Sequence, residues 1–196
     1  MTIDRKAGTA FFSAALVVFW FSAGHADSLC NGIKQIDASA SSDFADMTAK
    51  PQRPPLREGG RLTYLVLPVL PGTSPYSSIF VGPGNRLRAG TGYLAELLVD
   101  QRKLLSTPDT PSLLRATFDE WIGGVARCFP TARHQSGHAR ISSPVARLVN
   151  WQTFTLPSGN QVLLKLSEAD PEEPMVASEA TFMLSKGKLP DLVLTE

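Results

Sequence analysis

The sequence predicts an α+β domain: a mostly antiparallel sheet of about five strands, with two or three helices packed on one face and stapled to each other by a disulfide. Three observations carry that expectation. Apolar residues recur at helical spacing in two stretches, Leu29, Ile33, Ile36, Ala40, Phe44 and Met47 in one, Leu114, Phe118, Trp121, Val125 and Cys128 in the other. From Val145 onward the period changes to two, and the runs on either side of Pro157-Ser158-Gly159-Asn160 read as a hairpin. The chain has two cysteines, Cys30 and Cys128, one in each helical stretch.

The N-terminus speaks to compartment. Arg5 and Lys6 precede an uncharged run from Ala10 to Ala23, and Gly24-His25-Ala26 offers small residues where a signal peptidase reads. The apolar run is 14 residues long, short of the roughly 20 that span a bilayer. The expectation is therefore a signal peptide over residues 1–26 and a single domain over 27–196, periplasmic or secreted, with no stable membrane insertion after cleavage. Leu29 in front of Cys30 is too large for a lipoprotein cleavage site, which leaves that thiol for other use.

Removing residues 1–26 takes away Arg5, Lys6 and Asp4 and leaves 17 basic and 17 acidic residues. A neutral chain gives no sign of a nucleic-acid partner or an anionic membrane, both of which call for a basic surplus. In an oxidising compartment an even pair of thiols forms one disulfide. Bonding Cys30 to Cys128 closes a loop of 98 residues, for which chain entropy alone allows up to about 4.7 kcal/mol. It also sets the two helices side by side over one core.

In chain order, Ser28 to about Thr48 reads as the first helix, rich in Ser and Asp and so dependent on packing. Lys50 to Gly60, with three prolines and two adjacent glycines, reads as an extended connector. Arg61 to Leu70 is a first strand, with Pro68 marking its edge or end, and Ser77 to Val81 a second. Gly82, Gly84, Gly90 and Gly92 surround Arg86 and Arg88, but their spacing fits no phosphate loop, and turns are the better reading. Tyr93 to Leu105 fits a helix through Leu94, Leu97, Leu98, Gln101 and Leu105, or a strand by alternation over its first seven residues; its composition favours the helix.

Thr110 to Pro130 is the central helix, in which Gly123-Gly124 implies close approach to another backbone or an early end. Thr131 to Ser143, polar and without periodicity, reads as a surface loop. Leu148 to Leu156 and Gln161 to Leu166 form the hairpin, Ser167 to Pro174 an acidic loop, and Val176 to Leu184 a third strand near a sheet edge. Leu192 to Leu194 adds a last short strand.

Candidate chemistry is sparse. His134 and His138, the two histidines outside the signal, form H-x-x-x-H without the glutamate of H-E-x-x-H and with Gly137 between them, a poor match to a helical zinc site. No G-x-S-x-G or S-x-x-K is present. Asp119-Glu120 and Glu172-Glu173 are adjacent acids that point apart, as solvent contacts do. Trp121 belongs to the helical stripe, while Trp151 suits either a core or an exposed binding position. No catalytic, cofactor or metal set emerges, and Cys30 with Cys128 are the residues singled out. These readings lead to an exported, non-catalytic module that binds or supports a protein partner in the cell envelope. The rival is a small hydrolase or metal-dependent enzyme using the loop of His134 and His138.

Overall fold

The computed structural model describes residues 14–58, 60–71, 73–74, 77–82, 91–99, 110–141, 147–169 and 178–188. Eight strands form one antiparallel sheet: β1 (Leu56–Glu58), β2 (Arg61–Val66), β3 (Ser77–Val81), β4 (Gly92–Val99), β5 (Arg133–Ile141), β6 (Arg147–Thr155), β7 (Gln161–Ala169) and β8 (Ser178–Ser185). Their spatial order is β1-β2-β3-β4-β8-β7-β6-β5. The sheet thus consists of two meanders, β1 to β4 and β5 to β8, joined where β4 pairs with β8 from Gly92↔Ser185 to Val99↔Ser178. Three helices accompany it among the described residues: α1 (Ala14–Ser39), a single turn α2 (Ala45–Thr48) and α3 (Thr110–Cys128).

The sheet is larger than the five strands expected, and the additions have physical reasons. Gly92 to Val99 is a central strand rather than the start of a helix. Tyr93 and Leu94, successive residues, are buried on opposite faces; a strand between β3 and β8 buries both, and that burial outweighs the helix propensity of its Leu, Ala and Glu residues. Residues 100–109 lie outside those described. Arg133 to Ile141 is a strand where a loop was expected, paired with β6 residue by residue from Arg133↔Thr155 to Ile141↔Arg147. Its mostly exposed side chains leave no hydrophobic alternation to read. The proline-rich connector also contributes a short strand, Leu56–Glu58. The strand from Val176 to Leu184 exists as β8, but it is central, between β4 and β7. The short strand expected at Leu192 to Leu194 falls outside the described residues.

One face of the sheet packs against the helices. Ile79, Tyr93, Phe154, Val162, Leu164, Leu166, Ala180, Phe182 and Leu184 meet Leu29, Ile33, Ile36, Leu114, Phe118, Trp121 and Val125 in one buried cluster. Trp121 is 1% exposed and sits edge-on to Phe182, with ring centroids 6.0 Å apart. Tyr93 closes the far end, its hydroxyl 2.6 Å from Ser77 Oγ, so the buried phenol keeps a polar partner. The opposite face carries a smaller cluster of Phe80, Leu94, Leu163 and Met183, with Trp151 packed against it and the Arg61 guanidinium 5.3 Å above the Phe80 ring.

Small residues let the helices close on the rest. A Cβ on Gly124 of α3 would lie 2.5 Å from Leu29 Cδ2 of α1, and one on Gly32 would lie 2.5 Å from the Val69 carbonyl oxygen. The glycine pair in α3 therefore marks a helix contact, at its second member. Cys30 and Cys128 are joined across this contact, with Cα atoms 5.5 Å apart.

The first helical stretch does not run to Thr48 unbroken. α1 ends at Ser39, a 3-10 turn covers Ala40–Ser42, and Asp43 and Phe44 take positive φ of 53° and 59°. The Phe44 amide donates to the Ser39 carbonyl at 2.8 Å and the Asp43 amide to Ala40 at 3.2 Å, the paired bonds of a Schellman terminus. Burial of Phe44 at 0% exposure offsets the left-handed backbone, which costs about 1–2 kcal/mol at a non-glycine residue. The stripe continues through the break because the reversal turns Phe44 back into the core. Asp37 then accepts hydrogen bonds from Ser158 Oγ (2.7 Å) and Asn160 Nδ2 (2.8 Å), anchoring the β6–β7 turn, where Gly159 has φ 85°, to α1.

Removing the disulfide, by Cys30→Ala with Cys128→Ala, is predicted to lower unfolding stability by about 2–5 kcal/mol. Denaturant titration of the variant beside the oxidised protein measures the loss; equal midpoints would show that the packing of α1 on α3 is sufficient by itself.

Candidate interaction edge

Among the described residues the sheet order leaves two terminal strands, β1 and β5. β1 is three residues long, follows Pro54-Pro55 and carries Arg57 beside Glu58, so it offers little backbone to a neighbour. β5 is nine residues long, contains no proline, and keeps continuous register with β6 without a bulge. Alternate backbone N–H and C=O groups along it point away from β6.

The two faces of this edge follow from register. Arg133, Gln135, Gly137 and Ala139 pair with Thr155, Thr153, Trp151 and Val149 on the face away from the helices. His134, Ser136, His138 and Arg140 pair with Phe154, Gln152, Asn150 and Leu148 on the helix side. α3 packs over β7 and β8, so the helix side of β5 stays exposed at all four of these residues. Leu148 beside Arg140 is 43% exposed, an apolar contact at the border of a polar strip.

The histidines do not form a metal site. They share a face, but they stand four positions apart along an extended chain, about 13 Å at strand rise, whereas one ion needs both ring nitrogens within about 2.1 Å of itself. The His134 ring is stacked on Phe154, centroids 4.6 Å apart, and its Nε2 donates to Gln152 Oε1. Among the described residues no group of three His, Cys, Asp or Glu side chains could hold a metal. Asp119 is exposed on α3, while Glu172-Glu173 and the Arg86 to Arg88 segment lie outside the described residues. Gly82 occupies a turn with φ 114°, and Gly92 opens β4.

A charge pattern that sequence reasoning passed over becomes visible once β5 is a strand. Between Glu120 and Glu168 the chain has no carboxylate and carries Arg127, Arg133, Arg140, Arg147 and Lys165. Lys165 pairs with Glu179 of β8 at 3.3 Å. At the other end of β6 and β7, Arg115 of α3 reaches Glu168 Oε1 at 2.7 Å, and this pairing raises the Arg115 pKa above its ordinary value. β5 itself presents Arg133 and Arg140, both exposed, and no acid. The neutral total hid this asymmetry.

Gly137 and Trp151 pack directly on each other across the β5–β6 pair. A Cβ at Gly137 would overlap the Trp151 indole, so the indole lies across the bare backbone of the edge strand. Trp151 is accordingly neither deep core nor a free binding aromatic; it is half-buried. Gly137→Ala is predicted to displace this ring, costing about 1–3 kcal/mol and changing the tryptophan emission relative to the wild type. An unchanged spectrum and thermal midpoint would contradict the contact. No family model, curated protein or solved structure gives a significant match to this chain.

Proposed function

We propose that the protein is an exported, non-catalytic module that binds a protein partner by accepting one of its strands along β5. The observation that supports the reading most directly is the contrast between the two terminal strands of the described sheet: a short, proline-flanked β1 and a nine-residue β5 with neither proline nor bulge. An added strand gains main-chain hydrogen bonds from the edge and side-chain contacts from both faces. Export rests on residues 1–26, with their basic start, short apolar run and small residues before Asp27. The histidines act here as surface groups of the edge.

Two experiments test the two halves. Edman or mass analysis of the exported protein should give Asp27 as the first residue, and retention of Met1 to Ala26 in that fraction would refute the export reading. For the edge, proline is introduced separately at Gln135 and at Ser136. One of these neighbours points its N–H away from β6, and there proline removes a donor from the free edge without breaking the ladder. That variant should keep the wild-type thermal midpoint and lose the partner in co-purification from the envelope. Full partner recovery by both variants would rule out strand addition at β5.

A further inference from the structure

We propose that the strand received by β5 is amphipathic and sets a bulky apolar side chain against the outer rim of the Trp151 indole, at the position opposite Gly137. The inference rests on strand addition at this edge and specifies its partner. Gly137 and Trp151 are paired across β5 and β6. A Cβ at Gly137 would overlap Trp151 Cζ2 and lie 2.6 Å from Cε2 and 3.0 Å from Cη2. The six-membered half of the indole therefore occupies the space that a side chain on the edge strand would take. The indole also packs against the cluster of Phe80, Leu94, Leu163 and Met183, so it reaches from buried apolar surface to the margin of the sheet. It is half-buried there rather than covered. β5 is terminal among the described strands, and no described strand completes the contact.

The neighbours on this face continue the preference. Ala139 pairs with Val149 and Gln135 with Thr153, and Val149 is 5% exposed. In an antiparallel pair the residue directly opposite brings its Cα to about 4.5–5.5 Å, and at Gly137 no side chain stands between it and the indole. An aromatic or branched aliphatic side chain at that point removes apolar surface of both groups from water. The partner residue two positions along meets Ala139, which also favours an apolar side chain. On the helix side His134, Ser136 and His138 are exposed, and the residues opposite them are polar. The partner thus has the alternation of a half-buried strand. A second copy does not supply it: two β5 strands paired antiparallel about Gly137 set glycine opposite glycine and leave both indole rims uncovered. A lipid or a nucleic acid lacks the backbone that matches the alternating donors and acceptors of the edge. The occupant is an extended segment of another protein, read by its backbone and selected by its apolar face.

The test uses the mature protein and three nine-residue peptides of alternating Thr and Ser that differ only at the central residue, which is Leu, Ala or Asp. Binding is followed by backbone amide chemical shifts and by tryptophan emission, in which Trp121, 1% exposed, is a constant background. The Leu peptide should shift β5 amides, change the emission of Trp151 and bind about tenfold more tightly than the Ala peptide, as burial of a leucine side chain at a partly open site allows. The Asp peptide should be weakest. Trp151→Ala should bind the Leu and Ala peptides equally while both still shift β5. If that variant lowers the thermal midpoint, Trp151→Phe keeps the apolar cluster filled with a shorter ring and should lose most of the preference. Equal binding of the Leu and Ala peptides at β5 of the wild type would overturn the apolar subsite and leave strand addition standing. No β5 shifts with any peptide would overturn both. A full preference for Leu in the Trp151 variants would overturn the role of the indole. Shifts at β5 that grow with protein concentration alone would assign the edge to a second copy and overturn the proposal.

Discussion

The pairing of β4 with β8 is the constraint on which the rest of the structure depends. Each meander, β1 to β4 and β5 to β8, is local in sequence, and the core under the helices draws on both: Ile79 and Tyr93 from the first, Phe154, Leu164 and Phe182 from the second. Joining Gly92 to Ser185 and Val99 to Ser178 sets Tyr93 of the first half edge-on to Phe182 of the second, which in turn meets Trp121 edge-on. α3, between the meanders in sequence, lies over β7 and β8 and is fastened to α1 by Cys30 and Cys128. The disulfide thus ties the chain segment before the first meander to the helix that leads into the second.

That constraint also decides which backbone is left over. Because β8 returns to pair with β4, the second meander is laid down in reverse, and its first strand, β5, ends at the margin of the sheet. An edge of this length invites pairing. The indole of Trp151 lies across its Gly137, and His134 donates to Gln152 of β6. Function, on this account, follows from topology: the strand that closure of the sheet cannot cover is the one available to a partner.

Much of the fold was legible in the sequence. The helical stripes, the β6–β7 hairpin with its Pro157 to Asn160 turn, the strand at Ser77 to Val81 and the pairing of the two cysteines all come from local periodicity or simple counting. What failed were the segments whose state is set by distant neighbours. Gly92 to Val99 has the composition of a helix and becomes a strand because β3 and β8 flank it. Arg133 to Ile141 has no apolar alternation because both faces of the edge are largely exposed, so it resembled a loop. β8 was recognisable as a strand, but a pattern of inward apolar residues cannot say whether a strand has one neighbour or two. The strand expected near an edge, Val176 to Leu184, is central, and the long edge among the described strands is β5, whose basic character was hidden by a neutral total.

Hydrogen exchange resolved strand by strand, in the free protein and with the co-purified envelope partner bound, tests this account most directly. Amides of β8 should exchange slowly in both states. Along β5, the amides pointing away from β6 should exchange quickly in the free protein and slow down on binding. Outward amides of β5 that are already protected without a partner, or that stay fast in the complex, would contradict the claim that β5 is the open, receiving edge of the sheet.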